Sequence, residues 1–131
     1  MARAGQTIDF GPALDIEVLS SGTTYSDELN ENSVVLKLTY DDTSFLLIGD
    51  AGLQTEESIM EAGYDVDSDI LKVGHHAVES GSGVTFISAV SPEISVIEVG
   101  AGNSYGHPHI EILEKLPEDS RVYRTDLKKY K

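Results

Sequence analysis

Residues 69–83 read DILKVGHHAVESGSG. Apolar Ile70, Leu71 and Val73 lead into Gly74, two imidazoles follow at His75 and His76, and the chain then turns small and polar. A short apolar run bounded by a glycine reads as a buried strand. This strand therefore ends by presenting two histidines beside a flexible loop. The chain has 4 histidines. The other two also sit together, at His107 and His109 in NSYGHPHIEI.

Working outward, strands alternate with short helices. LDIEVLSS (14–21) alternates apolar and polar residues and reads as a half-exposed strand. GTTYSDELNENS (22–33) is a polar loop. VVLKLTY and SFLLIGD flank DDT, and two β-rich runs around a short Asp-containing turn predict a hairpin. Thr55 can cap a short helix, EESIMEAG, that Gly63 can close. GVTFISAVSP reads as a second helix ended by Pro92, and ISVIEVG as a strand. Pro108 can open a third helix whose apolar stripe is Ile110, Leu113 and Leu116. RVYRTD reads as a last strand. The second half is thus β–α–β–α–β–α–β after an antiparallel hairpin. That predicts an α/β fold, a layered β-sheet with short helices packed on it.

Composition narrows the chemistry. A chain of 131 residues with 40% apolar content suits one domain with a modest core. With no cysteine, disulfides and thiolate metal sites are excluded, and any metal must be held by His, Asp, Glu or water. Against 9 Lys and Arg stand 23 Asp and Glu, a net charge of −14. Binding DNA by counterion release needs a basic patch, and the one dense basic cluster is the terminal DLKKYK. Acidity argues against passive DNA binding. Ordinary solubility is the first reading of the bulk charge, which is also compatible with a carboxylate site whose bound cations hold an anionic substrate. No apolar run approaches the roughly 18 residues of a membrane span. MARAGQTIDF lacks the apolar core of a signal peptide. The expectation is a soluble domain without membrane contact of its own, with its location left open.

Loops leaving the C-terminal ends of strands build the sites of layered α/β proteins. Four such ends carry reactive groups. FLLIGDAG ends on Gly49 and Asp50, and ILKVGHH on His75 and His76. ISVIEVG leads to Asn103, Tyr105, His107 and His109, and RVYRTD ends on Asp126. Singly, each has a plainer role: Asp50 can cap a helix, one of two adjacent histidines can be buried and hydrogen-bonded, Tyr105 can be packing. Jointly, a carboxylate and several imidazoles at neighbouring strand ends make a metal site the stronger reading.

Three blocks in this order, a strand ending Gly-Asp, a strand ending Gly-His-His, and Asn-x-Tyr-Gly-His-Pro, resemble the C-terminal half of a metallo-β-lactamase-fold domain. Within that fold the chain most resembles the C-terminal domain of the DNA-internalisation competence protein ComEC and its stand-alone hydrolase relatives. The resemblance runs from about Asn30 to Asp126. It implies an αββα sandwich of which residues 1–131 form the C-terminal half. It implies that Asp50 bridges two divalent metals, zinc or manganese, and that His75 ligates the second. It places His76 near a substrate phosphate, and His107 with Tyr105 beside the substrate.

Two departures stand out. The family's principal motif, His-x-His-x-Asp-His, belongs to the N-terminal half and is absent; His107-Pro-His109 is followed by Ile110 and Glu111 instead. Gly-His-His usually continues Gly-Ser-Lys, where this chain has Ala77, Val78 and Glu79. Asp50 and His75 are too few side chains for a tight zinc site. The expectation is therefore one half of a metal-dependent hydrolase, a phosphodiesterase or nuclease in DNA uptake. Its partner would be the missing N-terminal half, and alone it would bind metal weakly or not at all, be inactive, and pair with a second copy through an uncovered face. The competing expectation is a non-catalytic interaction or regulatory module that keeps the fold.

Overall fold

A computed structural model describes residues 2–22 and 28–127. Part of the expected polar loop 22–33, and the lysines of DLKKYK, lie outside the described residues. The strands are β1 (Thr7–Asp9), β2 (Leu14–Ser21), β3 (Val34–Tyr40), β4 (Thr43–Leu47), β5 (Ile70–Lys72), β6 (Ile94–Ile97) and β7 (Arg121–Arg124). The helices are α1 (Leu53–Glu61), α2 (Val84–Val90) and α3 (Ile110–Leu113), with 3-10 turns at Leu29–Asn32 and Gly74–Ala77. All seven strands form one mixed sheet in sequential order. Pairing is antiparallel from β1 to β4 and parallel from β4 to β7.

The hairpin is the expected one. Tyr40 pairs with Thr43 across a two-residue turn in which Asp41 has φ 53°, a left-handed conformation that Asp tolerates. After β4 each strand is followed by a helical crossover, which is what parallel neighbours require. The local differences are small. Helix α1 begins at Leu53 after Gly52, and Thr55 lies inside its first turn, bonded to Glu31 rather than capping. Helix α3 spans four residues and starts at Ile110, two positions beyond Pro108. Strand β1 pairs only at the edge, and its three residues carried no periodic signal. Among the described residues, no helix is long and apolar enough to cross a membrane.

The two sheet faces differ. Val35, Leu46, Leu71 and Ile97 share one face and are fully buried in a core completed by Ile59, Phe86, Ile87, Val90, Ile112 and Leu116 from the helical segments. On the other face the register aligns Leu36, Leu38, Phe45, Leu47, Ile70, Ile94 and Val96 with Ile16 and Val18 of β2. Ile16 and Val18 are buried, the other seven are only half-buried, and none of them belongs to that core cluster. A strand such as β4, apolar on both sides, normally has cover on both. Here one face has helices over it and the other does not.

Candidate metal centre

The parallel arrangement sends the ends of β4, β5 and β6 to one edge of the sheet. Asp50 follows β4 through Gly49, whose φ of +65° reverses the chain and favours glycine. The Asp50 N–H donates to Ser33 Oγ (3.2 Å), which fixes the turn from a neighbouring segment. After β5 the backbone passes through three successive left-handed residues, His75 (φ 45°), His76 (φ 56°) and Ala77 (φ 62°). Such conformations cost of order 1–3 kcal/mol each and persist only where surroundings over-determine them; they concentrate at functional sites. The turn aims both imidazoles outward from one strand end.

The two histidines are held differently. His76 Nδ1 donates to the Glu98 carbonyl at 2.6 Å, which turns Nε2 toward Asp50, with Oδ1 3.6 Å away. An imidazole whose far N–H is held by a carbonyl is oriented as a metal-ligating histidine is. His75 Nε2 instead accepts from Asn30 Nδ2 at 3.3 Å. Lys72 Nζ, nearby, donates to the Gly49 carbonyl at 3.2 Å and lies 3.9 Å from Glu98.

His107 arrives from the loop after β6. Asn103 shapes that loop: its Oδ1 accepts from the Tyr105 and His107 N–H groups, and its Nδ2 donates to the His107 carbonyl. The rings of His75, His76 and His107 form a triangle with sides of 6.3, 6.3 and 6.4 Å. Tyr105, 78% exposed, stacks on His107 at 5.6 Å. Burial holds the His107 imidazole below its usual range, and neighbouring His109, His75 and His76 push the same way. It is therefore neutral near pH 7, able to donate or accept a proton. His76, Tyr105 and His107 border an open cavity of about 390 Å³ with Asn103 and Glu98.

Asp50, His75, His76, His107 and Tyr105 thus come together at one sheet edge. Asp126 does not join them; it is taken up by Arg124 at 2.7 and 3.0 Å. His109 packs edge-on against His107 at 5.1 Å and also clusters with Glu79 and Glu111, ligand atoms all within 4.8 Å of one another. Reading the sequence missed Asn30, Ser33, Lys72 and Glu98. Asn30 and Ser33 sit in a polar stretch with no periodicity, and only the folded chain shows that this stretch braces both Asp50 and His75. Asn30 Nδ2 occupies the lone pair that His75 would offer a cation, so Asn30→Ala is expected to raise divalent-cation affinity while the melting temperature stays within a few degrees. Calorimetry with manganese beside thermal unfolding checks this, and weaker binding in the variant would show that Asn30 positions His75 instead.

No family model matches the chain. It is 35% identical over 114 residues to ComE operon protein 3 of Bacillus subtilis, covering 86% of this chain and 15% of that protein. It is 31% identical over 116 residues to competence protein ComA of Neisseria gonorrhoeae, covering 87% of this chain and 17% of that one. Recombination protein 2 of Haemophilus influenzae is 28% identical over 79% of this chain and 13% of its own length. The chain therefore spans less than a fifth of these relatives. In three dimensions it resembles the crystal structure of a chain named as a metal-dependent hydrolase from Parabacteroides distasonis. That match has TM-score 0.58 and 18% identity, over 97% of this chain and 57% of the other. At that identity the likeness is one of fold.

Proposed function

This chain belongs, as one segment, to the family of ComE operon protein 3, ComA and recombination protein 2, and on that premise we propose that it supplies part of the cation-binding wall of a phosphodiester-hydrolysing site used in DNA uptake. The observation that carries the reading is the convergence of Asp50, His75, His76 and His107 at the ends of β4, β5 and β6, with His75 and His76 on left-handed backbone.

The donors fit a divalent cation. A carboxylate oxygen and an imidazole nitrogen stand 3.6 Å apart, and oxygen with nitrogen donors suits zinc or manganese. Asp50 would hold the cation with an imidazole of the Gly-His-His turn. Expectation gives that role to His75; the orientation of His76 makes it the better-aimed partner. A cation bound there would acidify a water and polarise a phosphoryl oxygen. His107, neutral at pH 7, would contact the substrate and hold or pass a proton, with Tyr105 packed on it. Two or three donors are too few for two ions, so the remaining ligands would come from a preceding half-domain. The bare sheet face and the 57% coverage of the hydrolase-like structure support that division.

One observation favours the alternative, a non-catalytic module. Glu79 sits in an acidic cluster on the loop beyond the histidine turn, where it would repel a phosphate. A single experiment separates the two. The chain alone should bind zinc or manganese weakly by calorimetry and turn over bis-nitrophenyl phosphate negligibly. A longer chain including the preceding region should do both. Sub-micromolar zinc binding by this chain that is lost in His75→Ala, or robust turnover by it alone, would contradict the shared-site reading. An inert longer chain would favour the non-catalytic module.

A further inference from the structure

Glu56 is 2% exposed on the inner side of α1, and the chemistry proposed above does not use it. Its carboxylate accepts the N–H groups of Ser82 (2.7 Å) and Gly83 (2.8 Å). Those amides close the irregular stretch 74–83 that opens with the histidine turn. Four left-handed residues in that stretch, His75, His76, Ala77 and Ser82, must be held from outside.

The stretch is also fastened at its start by its histidine side chains, His76 to the Glu98 carbonyl and His75 to Asn30, and along its length by backbone bonds. His75 N–H donates to the Gly49 carbonyl, Val78 N–H to that of His75, and Gly81 N–H to that of Val78. Leu53 N–H donates to the Ser80 carbonyl, and His109 N–H to that of Ala77. Contact with α1 is close: a Cβ on Gly52 would stand 2.7 Å from the Ser80 carbonyl oxygen. At the 80–83 end of the stretch, away from the imidazoles, the fastening at Glu56 is the one among the described residues that a proton can alter.

We propose that Glu56 is a positioning residue operated by protonation: as a carboxylate it holds the amides of Ser82 and Gly83, and with them the His75–His76 turn, and when protonated it releases one of them. Burial pushes its carboxyl up to about 7; the Gly83 and Ser82 bonds pull it down, Glu31 pushes it up and Lys115 pulls it down. Glu31 faces it from the 3-10 turn at 29–32 and Lys115 from beyond α3. On α1, Glu57 and Glu61 line the same cavity of about 430 Å³, to which Val84, Thr85 and Phe86 bring no charge. Residues 80–83 are Ser and Gly and bring none either. Acidification through neutral pH therefore loosens the loop, and alkaline pH tightens it.

This inference rests on the proposed metal site only for its effect on cation affinity. The test is a nitrogen-15 NMR titration of the whole chain from about pH 5 to 9. The Ser82 and Gly83 amides should shift together with a midpoint near 7, and exchange with solvent faster below it. In Glu56→Gln, which has one acceptor oxygen, the midpoint should vanish and the fast exchange persist at all pH values. Zinc affinity at alkaline pH should fall about tenfold in the same variant. Flat wild-type shifts at both amides, or amides that stay protected in Glu56→Gln, overturn the proposal. If that variant does not fold, the wild-type titration decides alone. A wild type that titrates at these amides but takes up no zinc at any pH keeps the fastening and removes the metal reading.

Discussion

Replacing Asp50 with alanine, in a longer chain that carries this segment and the region before it, is expected to lower phosphodiester hydrolysis at least about 10³-fold, on the order of 4 kcal/mol in the barrier. Asp50 brings the carboxylate of the site, beside His76 at 3.6 Å. Removing it takes away a ligand and the charge that offsets the cation. The fold should survive, because the side chain is 44% exposed and the turn is held through the Asp50 backbone N–H by Ser33. Asp50→Asn keeps the shape and one oxygen donor without the charge, so it should fall between wild type and alanine. Tyr105→Phe should cost less than about tenfold, since its ring stays on His107 and only an exposed hydroxyl is lost. Steady-state rates with manganese, compared at equal melting temperature, measure this. Asp50→Ala activity within fivefold of wild type would place the cation elsewhere.

Two adjacent residues of β4 should respond in opposite ways. Leu46 is fully buried under the helices, so Leu46→Ala is expected to cost about 2–5 kcal/mol from lost transfer energy and the cavity left behind. For a domain of this size that lowers the melting point by about 10 °C or more. Leu47 points to the opposite face, half-buried with no helix above it. Leu47→Lys removes little packing and should cost under about 1 kcal/mol. It should also reduce self-association, because the uncovered apolar face is what a second copy, or a missing half-domain, would cover. Denaturant unfolding and light scattering at micromolar concentration decide both. A monomeric wild type that loses several kcal/mol in Leu47→Lys would show that this face closes on itself, and the half-domain reading would fail.

Most of the architecture was legible because its signals are local. Hydrophobic runs of strand length, the Asp-containing turn between two of them, and proline or glycine at the helix ends all act over a few residues, and β2, β3 and the hairpin appear where those patterns put them. Helix ends moved by two or three residues where tertiary contact competed. Thr55 has the chemistry of a cap, but the side chain of Glu31 reaches its N–H and hydroxyl at 2.9 and 2.7 Å. The bare apolar face was also legible, since Phe45 to Ile48 leave no polar side to the strand.

The site was legible in its residue types and not in its geometry. Asp50, His75, His76 and His107 stand out as donors following apolar strands, and parallel order alone brings those strand ends to one edge. Which imidazole nitrogen is free depends on partners far away in the chain: Glu98 for His76 and Asn30 for His75. The same holds for Glu56, which in sequence is one acidic residue among 23. Its burial and its grip on Ser82 and Gly83 exist only once α1 packs against the histidine loop. The sequence by itself determined the elements, their order and the donors, because periodicity and turn chemistry act between near neighbours. Tertiary structure alone decided the aim and protonation of those donors, because a hydrogen-bond partner or a loss of solvent comes from segments brought close only by folding.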